Sequence, residues 1–403
     1  MNLRERIINH LEERKNKVLS GGINCIPSPF RRFRGDFFGV EQGCYYLVSG
    51  ATKGGKTQLT NYLFVFNTVL YCYYNKGKVF PKIFYFPLEE TQELITLRFM
   101  SFLLNYLTKG KIRISVPDLK STNEHHPIPE EVLNFMNTDE TFKGIMELFE
   151  SVVTFYSERN PTGIFKVLKS YADKNGETFY KTITIKDELG CDIQRQIFDY
   201  YKPNNPDEYV MFIVDHGSLI DTERGMTLRE SINKLSEYMV VLRNRYNYIP
   251  ILVMQQSTET QNLEAFKNNK IRPSVVGISD SKYPARDCQI MLGITNPHSH
   301  EIAEYQGYSI KRLRGYARFL EVVINRNGVA NGICPLLFDG AVCSFKELPL
   351  PTEISKLSEV YQYIDSINNK KNTLLFALNK QVDNWFGSNK IKNYLCSLFR
   401  KNK

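Results

Sequence analysis

The chain has no Cys-x-x-Cys pair and no histidine at finger spacing from a cysteine; its eight cysteines stand singly at Cys25, Cys44, Cys72, Cys191, Cys288, Cys334, Cys343 and Cys396. That spacing excludes a zinc finger or a disulfide framework and leaves reduced, mostly packed thiols. No run is long and apolar enough to cross a bilayer, so no membrane span is expected. The start, Met1-Asn2-Leu3-Arg4-Glu5-Arg6, leads into a charged helical pattern rather than an apolar stretch with a small-residue cleavage site. This argues against a secretory leader and for a cytoplasmic protein. Internal repeats and low-complexity tracts are missing too, and tryptophan occurs once, at Trp385. What remains is 403 residues, 42% hydrophobic and 24% charged, an ordinary globular composition with room for one large α/β domain and appendages, or for two domains.

The formal net charge is +9, which suits a polyanionic partner. Part of that excess lies in the tail, at Lys370-Lys371 and Arg400-Lys401-Asn402-Lys403, so charge alone leaves nucleic acid and a merely solvated basic end both open.

The sharpest signal is Gly50-Ala51-Thr52-Lys53-Gly54-Gly55-Lys56-Thr57, a glycine, four free positions and Gly-Lys-Thr. The apolar run Tyr45 to Ser49 precedes it, and Gln58-Leu59-Thr60-Asn61-Tyr62-Leu63 can continue as a helix, the strand-loop-helix context a phosphate-binding loop requires. Glycines let the backbone N–H groups curl inward on phosphates, Lys56 can reach the terminal phosphates, and the Thr57 hydroxyl can hold Mg²⁺. ATP with Mg²⁺ is therefore the expected ligand.

Around this loop the chain alternates apolar, β-rich runs with longer helical patterns. The runs are Tyr45 to Ser49, Lys82 to Phe86, Val152 to Tyr156, Val210 to Asp215, Ile249 to Met254, Ile290 to Ile294 and Leu320 to Ile324. Such alternation predicts an α/β fold with a mostly parallel central sheet flanked by helices on both faces. Leu3, Ile7, Ile8, Leu11, Val18 and Leu19 predict an amphipathic N-terminal helix stopped by Gly21-Gly22, free to cap its own domain or to pack on a neighbouring subunit. Polar excursions cover Lys109 to Glu131 and Asn175 to Gly190, and the second contains an alternating stretch, Thr178 to Ile185, that predicts a small hairpin strand.

Three strand ends carry polar groups suited to triphosphate chemistry. Asp215 closes the run Val210-Met211-Phe212-Ile213-Val214 as the candidate metal-organising carboxylate, on a strand expected to neighbour the loop's own. Glu89 and Glu90 follow the run ending at Phe86, where either could polarise a water or simply favour the first turn of a helix capped by Thr91. Gln255-Gln256 ends the Ile249 run, where an amide can sense a γ-phosphate or be a routine strand end.

The order of these motifs, over roughly residues 22 to 346, resembles the DnaB-like replicative helicases, ring-forming RecA-like ATPases of replication forks in bacteria and their phages. Phe86-Pro87-Leu88-Glu89-Glu90-Thr91 is similar to the family's Ser-Leu-Glu-Met segment, which implies Glu89 as the catalytic glutamate. Ile213-Val214-Asp215-His216-Gly217 is similar to its Walker B strand, and Pro250 to Gln256 to the strand ending in Ser-Gln, so Gln256 is implied as the sensor. Val322-Val323-Ile324-Asn325-Arg326-Asn327-Gly328 is similar to its Lys-Gln-Arg-Asn-Gly strand, and Arg326 would be the arginine finger that enters a neighbour's site. The segment Thr258 to Asp287 occupies the place of the family's central DNA-binding loop, which implies Lys267, Lys270, Arg272, Ser281 and Lys282 as contacts to a single strand. Two positions depart from the pattern: the family's lysine before the finger falls at Ile324, and its tyrosine after Walker B at His216.

The resemblance implies a RecA-like P-loop core, ATP and Mg²⁺ as ligands, single-stranded DNA as partner, and a homo-oligomer of about six copies. Residues 1–20 would be a linker helix, 21–350 the ATPase and helicase domain, and 351–403 a basic helical tail. Only residues 1 to about 20 precede the ATPase, so the expectation is a motor domain without the family's helical N-terminal domain, which binds primase, and with a primase or loader protein as a further partner. Two other readings share the core: a recombination ATPase that forms filaments on DNA, and a nucleotide-dependent scaffold with slow turnover.

Overall fold

Nine strands form the central sheet of the computed structural model, which describes residues 3–123, 126–186, 188, 191–257 and 271–368. Numbered in chain order they are β1 (Tyr46–Gly50), β2 (Phe80–Pro87), β3 (Val153–Phe155), β4 (Glu208–Asp215), β5 (Ile249–Gln255), β6 (Ile290–Thr295), β7 (Ala317–Asn325), β8 (Ile333–Asp339) and β9 (Ser344–Glu347). Across the sheet they run β9-β8-β7-β6-β1-β5-β4-β2-β3. The six strands from β6 to β3 are parallel to their neighbours, and β7, β8 and β9 extend the sheet antiparallel. All seven apolar runs became strands. The antiparallel edge formed by β8 and β9 lies outside those seven runs, because Pro335 and a length of four residues in β9 blur the period-two signal there.

Both faces of the sheet are covered, as the unbroken apolar runs imply. Along β4, Met211 and Ile213 point into one core with Tyr46, Val48, Ile83 and Tyr85, while Val210, Phe212 and Val214 point into the other with Leu47, Phe84 and Phe86. The first core is closed by the helical run after the phosphate loop and by helices Gln92–Leu107 and Glu140–Val152, the second by Pro161–Lys174 and Leu228–Tyr246. Leu228–Tyr246 starts with a reciprocal cap, in which Thr227 Oγ1 accepts from Glu230 N and Glu230 Oε2 accepts from Thr227 N.

One expectation about strand order is corrected. The strand bearing Asp215 does not neighbour the phosphate-loop strand, because β5 lies between β1 and β4. A parallel strand needs a crossover, and nothing in a local apolar run says which neighbour that crossover will reach.

The N-terminal helix Leu3–Leu19 forms and ends at Gly21, whose φ of 84° lies in the left-handed region that glycine supplies. Its polar side is tied down: Arg14 pairs with Glu41 at 2.6 Å, Lys17 pairs with Asp207, and Asn24 Nδ2 donates to the Arg14 carbonyl. Its apolar side is exposed at Ile7, Ile8, Leu11, Val18 and Leu19. The anticipated hairpin strand is part of a longer ribbon, Gly176–Lys186 paired with Asp192–Pro203, in which Phe179 stacks on Tyr200.

The described residues divide into two compact units, those up to Glu301 with Ala317–Glu347, and Ile302–Tyr316 with residues 348–368. Within the second, Glu304–Tyr305 pairs with Tyr308–Ser309, residues 354–368 are helical, and the Arg312 guanidinium lies 3.8 Å from the Tyr361 ring centroid.

Candidate nucleotide-binding site

The loop after β1 adopts the backbone its glycines predict. Gly55 sits at φ 100° as the N-cap of the helical run that begins at Lys56, and a Cβ on Gly50 would stand 2.7 Å from the Ile294 carbonyl oxygen. Three helical segments follow without a break, Lys56–Thr60, a widened π turn at Asn61–Phe66, and Asn67–Tyr74, so the first N–H groups of a long helix open beside the loop. The Ala51 carbonyl accepts from Gly54 N at 3.0 Å and from Lys56 Nζ at 3.1 Å, while Lys53 takes a left-handed φ of 58°.

β1, β5, β4 and β2 are parallel, so Gly50, Gln255, Asp215 and Pro87 all reach the same edge of the sheet. There Thr57 Oγ1 donates to Asp215 Oδ1 at 3.3 Å. The Tyr85 hydroxyl lies 2.9 Å from Asn61 Oδ1 and 3.2 Å from Asp215 Oδ2, and its single proton serves one of them at a time. Asp215 is 2% exposed, and burial, with the negative charges of Glu90 and Glu89 nearby, pushes its carboxyl up to about 7 against the opposing hydrogen bond from Thr57. Burial likewise lowers the Lys56 ammonium, opposed by the carboxylates of Glu89 and Asp215. A hydroxyl and a carboxylate side by side are hard oxygen donors, so the pair fits Mg²⁺, which commonly takes one or two protein oxygens and keeps several waters.

The two glutamates after β2 separate cleanly. Leu88 N and Glu89 N both donate to the Asp215 carbonyl, at 2.7 and 3.3 Å, which ties Glu89 to the end of β4 and leaves its side chain exposed. Glu90 turns to Arg98 in an ion pair. Neither belongs to the first turn of helix Gln92–Leu107, because Thr91 is that helix's N-cap and accepts from Leu94 N. The reading of the pair as ordinary first-turn acids therefore does not describe their place.

The amides at the end of β5 also part company. Gln256 is buried; its Nε2 donates to Ser49 Oγ and to the Ser274 carbonyl, both at 3.1 Å. Gln255, which the resemblance passes over in favour of Gln256, donates from Nε2 to Thr52 Oγ1 in the phosphate loop at 2.7 Å, and its Oε1 lies 3.4 Å from His216 Nε2. Beyond the turn the chain comes back to the same place: Ser279 N donates to the Gln255 carbonyl and Ser257 N to the Gly277 carbonyl. The period-two alternation of a strand sends adjacent glutamines to opposite faces, which is why one meets the loop and the other packs under it.

Arg326 lies elsewhere. It follows directly on β7, which is antiparallel to β6, so Asn325 pairs with Ile290, which pairs with Tyr46 at the start of β1. The Arg326 side chain donates to the carbonyls of Cys288 at 2.9 Å and Arg286 at 2.7 Å, at the edge opposite the phosphate loop.

Of the positions implied for DNA, Lys267 and Lys270 lie outside the described residues. Arg272 is engaged by Glu321 at 2.8 Å, a carboxylate buried in β7. Ser281 is buried, and its hydroxyl donates to Asn233 Oδ1 at 2.6 Å and accepts from Tyr283 N. Lys282 is exposed beside it.

One contact to the loop comes from a residue no motif marked. Arg318, the second residue of β7, is 6% exposed, donates from Nε to the Gly54 carbonyl at 2.8 Å, and lies 4.9 Å from the Phe338 ring centroid. Burial brings its guanidinium down to about 10.

No family model matches the sequence, and no curated protein matches it. Solved structures do share the fold. One, a separately solved ATPase domain, superposes with a TM-score of 0.59 at 13% identity, over 86% of this chain and 99% of that one. A DnaB-like replicative helicase, studied for its interactions with primase, gives 0.57 at 13% identity, over 86% of this chain and 66% of that one. The chain thus spans nearly all of the first and just under two thirds of the second, and it has the α/β RecA-like core that the motif order implied. Among the described residues no helix is long and apolar enough to cross a membrane.

Proposed function

We propose that this chain is an ATP hydrolase that assembles as a ring, of about six copies, and couples hydrolysis to movement along single-stranded DNA, as a replicative helicase does. The observation that carries this reading is the gathering of Thr57, Asp215 and Glu89 at the mouth of one phosphate loop while Arg326 stands at the opposite edge of the same sheet.

Gly50 to Thr57 would cradle the triphosphate through backbone N–H groups, with Lys56 on the terminal phosphates. Thr57 and Asp215 would hold Mg²⁺, which when bound neutralises charge on the phosphate oxygens. Glu89, tied beside Asp215, would take a proton from water as its oxygen bonds to the γ-phosphorus and the bond to the β–γ bridging oxygen breaks. Gln255 and Gln256, one on the loop and one beneath it, join the phosphate site to the returning segment 271–282, so a change at the γ-phosphate can be felt at the place implied for DNA. Lys282, with Lys267 and Lys270, would contact the strand through phosphates and not bases.

Two features support an oligomer. Between Gly50 and Arg326 lies the length of β1, so Arg326 can complete a nucleotide site only on another copy. The exposed apolar side of helix Leu3–Leu19 is likewise a face that a second copy would bury. A loader or primase would be the further partner.

The test is ATP hydrolysis with and without single-stranded DNA, in wild type and in an equimolar mixture of Arg326→Ala and Lys56→Ala. Stimulation by DNA, with turnover recovered only in the mixture, is the expected result. Turnover indifferent to both DNA and Arg326 would sink the ring motor, and helical filaments in electron micrographs would replace the ring with a filament.

A further inference from the structure

β7 enters the sheet at the edge where the phosphate loop lies. Its second residue, Arg318, is a long cationic side chain almost wholly removed from water, packed on the Phe338 ring and donating to two backbone carbonyls, Gly54 through Nε and Ala317 through Nη1, each at 2.8 Å. Gly55, next in the chain after Gly54, has its missing Cβ position 3.7 Å from Arg318 Nε. Taking a guanidinium out of water is costly, and hydrogen bonds to carbonyls and a ring contact offset part of that cost.

We propose that Arg318 is a positioning residue of the triphosphate pocket, acting on the phosphates through Gly54. In a trans peptide the carbonyl and the following N–H point in opposite directions. Holding the Gly54 carbonyl against the sheet edge therefore turns the Gly55 N–H the other way, toward the concave side of the loop, and keeps a carbonyl dipole from facing phosphate oxygens. A fixed positive charge behind the loop adds to the attraction, and the low-dielectric surroundings that make it costly also leave it poorly screened. Neither the glycine-lysine-threonine pattern nor the strand-end acids mark this position; it is reached only because β7 runs antiparallel and begins beside the loop.

This inference rests on the reading of Gly50 to Thr57 as a triphosphate site. Its test compares wild type, Arg318→Met, Arg318→Lys and Lys56→Ala by titration calorimetry with Mg²⁺-ATP and by thermal melting without and with ATP. Arg318→Met should weaken ATP binding about tenfold or more, the scale of a hydrogen bond to a charged group. The ATP-dependent rise in its melting temperature should shrink, whatever its melting temperature without nucleotide. Arg318→Lys should recover part of the affinity, since it restores the charge without the planar fork. If Arg318→Met binds ATP as wild type does, the proposal falls at any melting temperature, and a lower one without ATP marks the residue as structural. If wild type binds no ATP, or Lys56→Ala binds as wild type does, the reading of the loop falls and takes the proposal with it. The first failure leaves ATP binding intact, so the two are told apart.

Discussion

Arg318, second in β7, and Arg326, the residue after its end, stand eight positions apart, roughly 25 Å at the rise of an extended chain. The first is buried against the phosphate loop of its own chain; the second holds carbonyls at the far edge. Direction explains the difference. In the parallel part of the sheet every strand delivers its C-terminal end to the nucleotide edge, so Asp215, Gln255 and the Glu89 turn collect there. In the antiparallel part β7 delivers its beginning, and whatever follows its end is carried away. The same chemical group thus serves its own site at one end of a strand and becomes available to a neighbour at the other.

The contrast is tested most forcefully at Arg326. Arg326→Ala should cost about a thousandfold or more in DNA-stimulated turnover, the scale of an arginine finger, with ATP affinity unchanged, as read by steady-state hydrolysis beside calorimetry. A loss of affinity without loss of turnover at saturating ATP would reverse the roles assigned to the two arginines. Glu89→Gln comes next: turnover should fall by about two to four orders of magnitude while binding persists, and Glu90→Gln, which loses its pairing with Arg98 and removes one negative charge near Asp215, should retain turnover. Retained turnover in Glu89→Gln would favour a scaffold.

The two glutamines of β5 carry the same contrast to a smaller scale. Gln256→Ala should destabilise the fold by about 1–3 kcal/mol in chemical denaturation, because it strands Ser49 and the Ser274 backbone in a buried place. Gln255→Ala should leave stability nearly unchanged and reduce the stimulation of hydrolysis by DNA. The smallest effect concerns the thiols. Burial pushes Cys44, Cys288 and Cys343 up to about 12 and raises Cys334 further, so a thiol reagent at pH 8 should modify exposed Cys191 quickly and those four only on unfolding. Rapid native modification of Cys288 would mean that the Cys288 carbonyl, to which Arg326 donates, sits in a looser place than described.

Much of the site was legible because its signals are local. A phosphate loop needs its glycines and Lys-Thr within eight residues, and an apolar run ending in an acid declares itself as a buried strand with a functional end. The Thr57–Asp215 contact follows once both ends reach one edge. Less legible was anything that depends on which strands become neighbours. The insertion of β5 between β1 and β4, the contact of Gln255 with Thr52, and the capture of Arg272 by Glu321 all join residues far apart in the chain. A period-two pattern says that Gln255 and Gln256 face opposite ways, not which way the loop lies.

The α/β class, the phosphate loop, the seven principal strands and the candidate acids can all be read from the order of residues, because each is written in spacing along a short stretch of chain. It took the folded arrangement to tie Glu89 to Asp215 while Glu90 pairs with Arg98, to stand Arg318 behind the loop, and to turn Arg326 away from it. Those outcomes follow from strand order and strand direction, which crossover connections and packing on both faces of the sheet select, and which no local run of residues encodes.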